Sequence, residues 1–114
     1  MVLRKWLGGG IQIPQRSVTA VADSMRQRAV QVIDVREHDE WRAGHIEGAI
    51  HIPLGALASR MATLDRDIPV ITVCRSGRRS MAAATALKRA GFSDVANMEG
   101  GMLAWARLGF YVNR

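Results

Sequence analysis

One stretch of the chain, Cys74-Arg75-Ser76-Gly77-Arg78-Arg79-Ser80, gathers residue types that suit nucleophilic chemistry by a thiol. Cys74 is the only cysteine. It follows the apolar run Ile68-Pro69-Val70-Ile71-Thr72-Val73 and precedes a predicted helix, Met81 to Ala90, closed by Lys88, Arg89 and Gly91. A cysteine at such a turn faces a helix N-terminus, where unpaired N–H groups and the helix dipole favour an anion. Gly77 permits positive φ, so that successive N–H groups can curl into an anion-binding nest. Arg75, Arg78 and Arg79 add fixed positive charge. Each feature lowers a thiol pKa from about 8.5 towards neutrality and so favours the thiolate. The alternative, a buried structural thiol, does not account for a glycine and three arginines in the same turn.

Other residues are weighed around that sulfur. Ser76 and Ser80 suit hydrogen-bond donation to it, although Ser80 is expected to cap the helix instead. Asp34 and Arg36 flank the end of an apolar run. A buried carboxylate needs a partner, so a structural ion pair is expected, with Arg36 or Glu37 still within reach of a pocket rim. His45 is the histidine that invites a general-base role, ahead of His38 and His51. Three histidines and one cysteine show no metal-ligand spacing, so neither metal nor cofactor is expected. Trp41 and Trp105 are assigned to the core. Glu99-Gly100-Gly101 opens a helix but forms neither a dinucleotide fingerprint nor a P-loop, and close backbone packing against the cysteine loop is the expected role.

The elements that must position these residues alternate. Thr19 suits an N-cap for a helix over Ala20 to Gln27, with Val21, Ala22 and Met25 towards the core. Val30 to Val35 is β-branched and reads as a buried strand. A short helix over His38 to Ala43 ends at Gly44. A strand over Ala49 to Ile52 stops at Pro53, and Leu54, Leu57, Met61 and Leu64 have helical spacing. The Ile68–Val73 strand, a Ser80–Ala90 helix, a Val95–Met98 strand and a helix from Gly101 to Leu108 complete the series. Strands alternating with helices predict an α/β fold with a parallel sheet, right-handed crossovers and helices on both faces. Ligands of such folds bind beyond the carboxyl ends of the strands, where the cysteine loop lies.

Composition bounds the rest. At 114 residues the chain is one domain, and its 48% hydrophobic content is that of a globular protein. Residues 1–13, with Gly8-Gly9-Gly10, are expected to be a tail and 14–114 the domain; Trp6 and Leu7 are candidates for docking on the body or a partner. Net charge is +6, and since Lys5 and Lys88 are the only lysines, fourteen of the sixteen basic residues are arginine. These are scattered, with only Phe92, Phe110 and Tyr111 besides the tryptophans to stack bases. The charge is therefore read as attraction for anionic substrates or an acidic partner protein rather than nucleic acid. No run of about 18 apolar residues predicts a membrane span. Arg4, Lys5 and Ala20-Val21-Ala22 mimic parts of a signal peptide, but glycines, Gln12, Pro14, Gln15 and Arg16 interrupt the apolar stretch between them, so a cytoplasmic protein is expected. A lone cysteine agrees, since it allows no disulfide framework.

The cysteine loop resembles the active-site loop of the rhodanese family of sulfurtransferases in its short Cys-x-x-Gly-x-Arg form. Val32-Ile33-Asp34-Val35-Arg36-Glu37, followed by Gly44-His45-Ile46-Glu47-Gly48-Ala49, is similar to the family's first signature. Glu99-Gly100-Gly101 with Trp105 is similar to its last. The resemblance spans roughly residues 16 to 112 and implies a rhodanese-like three-layer fold. It implies a sulfurtransferase that carries sulfane sulfur as a persulfide on Cys74, from thiosulfate or a similar donor to cyanide or a thiol acceptor. It also implies a loop-fixing role for Arg79, a substrate-charge role for Arg75 and a chiefly structural one for His45; Arg78 has no matching role. Two other readings compete. Related cysteine-loop phosphatases and arsenate reductases place five residues between cysteine and arginine, to surround an oxyanion, whereas four separate Cys74 from Arg79. Non-catalytic rhodanese-like binding modules exist, but usually lack the cysteine.

Overall fold

The computed structural model describes residues 10–114. The first nine residues of the expected 1–13 tail, with Trp6 and Leu7, lie outside the described ones. The elements are β1 (Gln15–Arg16), α1 (Val18–Arg26), β2 (Gln31–Asp34), α2 (His38–Ala43), β3 (Ile50–His51), α3 (Leu57–Arg60), β4 (Val70–Val73), α4 (Arg78–Arg89), β5 (Val95–Met98) and α5 (Gly101–Arg107). The strands form one sheet in the order β1-β5-β4-β2-β3, every pairing parallel.

The period of two along each strand sorts side chains onto two faces. Val32, Ile71, Val73, Ala96 and Met98 pack with Val18, Val21 and Ala22 of α1 and Met102, Ala104 and Trp105 of α5. Ile33, Val35, Val70, Cys74 and Val95 pack on the opposite face with Leu57 of α3 and Ala83, Ala84 and Leu87 of α4. Both faces are covered, which is why β2, β4 and β5 are rich in apolar and β-branched residues without a polar–apolar alternation. This is the three-layer α/β arrangement that the alternation predicts. Among the described residues no helix is long and apolar enough to cross a membrane.

Several boundaries differ from the expectation, each for a local reason. The first helix starts at Val18, because the Ser17 hydroxyl accepts from the Ala20 N–H at 3.1 Å and is the N-cap in place of Thr19. Residues 54–64 keep their apolar spacing but form a 3₁₀ turn (Leu54–Ala56), the four-residue α3 and a second 3₁₀ turn (Met61–Thr63). The edge strand β1 has no hydrophobic pattern, since both of its residues are exposed. It is defined by pairing alone: Gln15 opposite Asn97, and Arg16 opposite Met98.

Candidate active site

The register aligns Asp34 of β2 with Val73 of β4 and His51 of β3, so these strands end together. Cys74 follows directly, 1% exposed, and residues 74–77 connect β4 to α4. Gly77 has φ +115° and is the N-cap of α4. That conformation suits glycine and turns the Gly77 N–H back onto Cys74 Sγ at 3.1 Å. The helix consequently begins two residues earlier than expected, and Arg78 and Arg79 lie in its first turn. Ser80 is therefore not the cap; its buried hydroxyl donates to Cys74 Sγ at 3.2 Å. Burial pushes the Cys74 thiol up. Hydrogen bonds from the Ser80 hydroxyl and from the N–H groups of Ser80, Gly77 and Ser76 outweigh it, and the pKa falls below the ordinary thiol value.

The loop is held from its other side by α5. The N–H groups of Met102 and Leu103 donate to the carbonyls of Cys74 (2.8 Å) and Arg75 (3.0 Å). Gly101, at φ +58°, lies so close that a Cβ there would overlap both carbonyl oxygens. The Glu99-Gly100-Gly101 segment thus packs backbone to backbone against the loop, as the sequence suggests. Carbonyls face α5 and N–H groups face the sulfur. Glu99 itself is exposed, and its N–H donates to Arg16 O at 2.8 Å, which continues the β1–β5 pairing.

Arg79 forms a two-pronged ion pair with Glu40 of α2, Nη1 to Oε1 at 2.7 Å and Nη2 to Oε2 at 2.8 Å. Glu40 also accepts the Glu37 N–H at 2.9 Å, within a capping box that closes the start of α2. The Arg79 guanidinium holds the Glu40 carboxyl down to about 2 from its ordinary 4.5, against a smaller opposing effect of burial. Glu40 carries no signal of this role in the sequence. A capping box places it in a first turn, but its partner is 39 positions away and only the fold brings the two together. Because the folded-state pKa is depressed, the pair's stabilisation is complete above the ordinary carboxylate range and is lost as pH falls towards 2. The pair is partly solvated, so the expected contribution is about 1 kcal/mol rather than the full shift. Glu40→Gln should remove that amount at neutral pH and flatten the stability profile between about pH 4.5 and 2, as read by chemical denaturation across that range.

The remaining candidates separate into structural and open positions. Arg36, 6% exposed, pairs with Asp34 (Nη2 to Oδ2, 2.8 Å) and donates to the carbonyls of Gly44 (2.7 Å) and Glu40 (3.3 Å). The expected ion pair is present. It commits the Arg36 guanidinium to Asp34 and these carbonyls, and Glu37 is committed to the capping box. His45 Nδ1 lies 2.8 Å from Trp41 O, and its backbone bridges Asn113, an anchoring arrangement with no link to the sulfur. Trp105 is core, but Trp41 is half-buried, stacked between His45 (3.6 Å between ring centres) and His51 (4.7 Å). Assigning Trp41 to the core is corrected accordingly: α2 has no buried residue. Arg75, Ser76 and Arg78 are exposed at the mouth of the loop. No cluster of three or more metal-ligating side chains occurs among the described residues.

The rhodanese-like domain family model matches residues 17–108, which include β2, the cysteine loop and the α5 segment. The chain belongs to the rhodanese-like domain family. This rhodanese-like domain is 36% identical to the thiosulfate sulfurtransferase GlpE of Pseudomonas aeruginosa, over 80% of this chain and 83% of that protein. It is 40% identical to YtwF of Bacillus subtilis, which bears the name sulfurtransferase, over 83% and 92% of the two chains. It spans about half, 51%, of another Bacillus subtilis relative, YrkF. Among solved structures, a rhodanese-related protein from Thermoplasma volcanium superposes with a TM-score of 0.81 at 30% identity, covering 88% of this chain and 97% of that one.

Proposed function

We propose that this rhodanese-like domain is a sulfurtransferase that carries sulfane sulfur as a persulfide on Cys74. The observation that carries the reading is the cradle around Cys74 Sγ, with the Gly77 N–H and the Ser80 hydroxyl donating to it at the N-terminus of α4. Such donors stabilise an anionic sulfur and favour the thiolate. In the first half-reaction the thiolate attacks the outer sulfur of thiosulfate. A new S–S bond forms, the donor's S–S bond breaks, and sulfite leaves with the bonding electron pair. In the second, cyanide or a thiolate attacks the outer sulfur of the persulfide, giving thiocyanate or a new persulfide and restoring the Cys74 thiolate. No step requires a proton to be removed from Cys74 once it is ionised, which fits a sulfur whose hydrogen bonds come from the Gly77 N–H and the Ser80 hydroxyl. The relatives named as sulfurtransferases support the same class of reaction.

Two half-reactions through one covalent intermediate predict ping-pong kinetics. Initial rates over a grid of thiosulfate and cyanide concentrations should give parallel double-reciprocal lines, and intersecting lines would count against the covalent scheme. The short loop, with four residues between Cys74 and Arg79, supports sulfur over phosphate as the bound group. Aryl phosphate hydrolysis is accordingly expected to be negligible beside sulfur transfer. A phosphatase rate comparable to the transfer rate would reverse that choice.

Arg75 and Arg79 should separate kinetically. Arg75 is exposed and directly follows the nucleophile, so in this scheme it attracts the dianionic donor. Arg75→Ala is expected to raise KM for thiosulfate several-fold with a smaller change in kcat, as when uniform binding is lost. The defect should shrink with added salt, because exposed charges about 10 Å apart are largely screened near 0.1 M. Arg79 is committed to Glu40, so Arg79→Ala should instead lower kcat for every donor, with little salt dependence. Kinetics of both variants at low and high salt test the assignment, and the opposite pattern would exchange the two roles.

A further inference from the structure

Asn97 is 1% exposed and lies on β5, whose other residues, Val95, Ala96 and Met98, are apolar. In parallel register it stands between Thr72 of β4 and Gln15 of β1, and alternation places its side chain on the α4 face of the sheet. Its Nδ2 donates to Gln15 Oε1 at 2.8 Å, and Gln15 Nε2 in turn reaches Met81 Sδ at 3.5 Å, in the first turn of α4. Asn97 Oδ1 has no hydrogen-bond partner among the described residues. A buried amide oxygen left unpaired is costly. A Leu or Val in a strand covered on both faces would avoid that cost. Exchanging the ends of both amides changes nothing in this respect, because one Asn97 amide atom still lacks a partner. Packing therefore does not explain an asparagine here.

What lies against it is the cysteine loop. A Cβ built on Gly77 would stand 3.6 Å from Asn97 Nδ2, an ordinary contact distance. The Asn97 amide thus lies on the side of Gly77 to which a side chain would project, beside the turn whose N–H donates to Cys74 Sγ. Through Gln15 the same amide is tied to the exposed edge strand and to the start of α4. Sulfur, positive-φ turn and amide are thus neighbours on the α4 face of the sheet.

We propose that Asn97 is a positioning residue for the thiolate: its amide, tethered by Gln15, buttresses the Gly77 turn and keeps the Gly77 N–H aimed at Cys74 Sγ. The inference rests on Cys74 being the nucleophile and is independent of which donor supplies the sulfur. Its consequence is that removing the amide lets the N–H drift from the sulfur, so the thiolate loses a donor and the thiol titrates at higher pH.

The test is a pH titration of thiolate ultraviolet absorbance in the full chain, for the parent, Asn97→Leu and Gln15→Ala, with thermal unfolding of each. Cys74 is the only thiol, so the thiolate signal belongs to it alone. Asn97→Leu is expected to raise the midpoint by about one pH unit, a tenfold loss of thiolate well below the midpoint, with Tm unchanged or higher. Gln15→Ala, at an exposed position, should raise the midpoint by less. Unchanged midpoints in both variants would overturn the proposal. Should Asn97→Leu fail to fold, Gln15→Ala decides: a raised midpoint upholds the proposal and an unshifted one overturns it. Failure of the sulfur-transfer reading would show instead as a parent protein that never takes up sulfur, and it leaves these titrations readable.

Discussion

Cys74→Ser is expected to keep the fold and to lose sulfur transfer to background, a fall of at least about a thousandfold for a covalent nucleophile. Sγ already accepts from the Gly77 N–H and the Ser80 hydroxyl, and a serine oxygen can accept both. The substitution is also nearly isosteric in a site that is 1% exposed. Thermal unfolding should therefore change little. A hydroxyl in the same cradle remains protonated and forms no persulfide, so no second group can take over the reaction. With no other cysteine in the chain, the intermediate of the parent is a persulfide and never an intramolecular disulfide. Substantial transfer by the serine variant would mean that sulfur passes directly from donor to acceptor.

Gly101→Ala is expected to damage fold and activity together. A Cβ there overlaps the carbonyl oxygens of Cys74 and Arg75, and φ is +58°. Left-handed backbone costs about 1–2 kcal/mol for an L-residue, and relieving overlap in packed surroundings adds roughly 1–3 kcal/mol. The overlap involves backbone on both sides, so no side chain can swing away. Relief requires α5 to retreat, which breaks the Met102 and Leu103 hydrogen bonds to the loop. For a domain of this size each kcal/mol lowers Tm by roughly 4–8 °C, so a fall of about 8 °C or more is expected, together with lower kcat for all donors. A variant with parental Tm and kcat would show that the loop does not depend on this contact.

Much of this architecture is legible in the sequence because burial on both sheet faces writes a simple pattern. Val32-Ile33 and Val70-Ile71-Thr72-Val73 are apolar or β-branched runs that only a covered parallel sheet requires. Gly44 marks the end of α2, and Gly77 and Gly101 stand where the loop needs backbone freedom or closeness. The unread parts depend on pairings distant in sequence. Gln15-Arg16 is a strand only because β5 lies beside it, and Glu40 is a loop clamp only because the fold delivers Arg79. Ser80 is not the cap because Gly77, with its left-handed φ, fills that position three residues earlier. Asn97 offered one local signal, a polar side chain inside an apolar strand, and conflicts of that kind concentrate at functional sites. Trp41 shows the converse: a large aromatic assigned inward by hydrophobicity is held at the surface by stacking on His45 and His51.

The central claim, a persulfide on Cys74, is open to one direct measurement. Intact-mass spectrometry of the purified chain before and after thiosulfate, and again after cyanide, reads the intermediate without any assumption about rate. A Cys74 persulfide predicts the gain of one sulfur atom on treatment with thiosulfate, its removal by cyanide, and no gain in Cys74→Ser. An unchanged mass in the parent, or an equal gain in the serine variant, would contradict it.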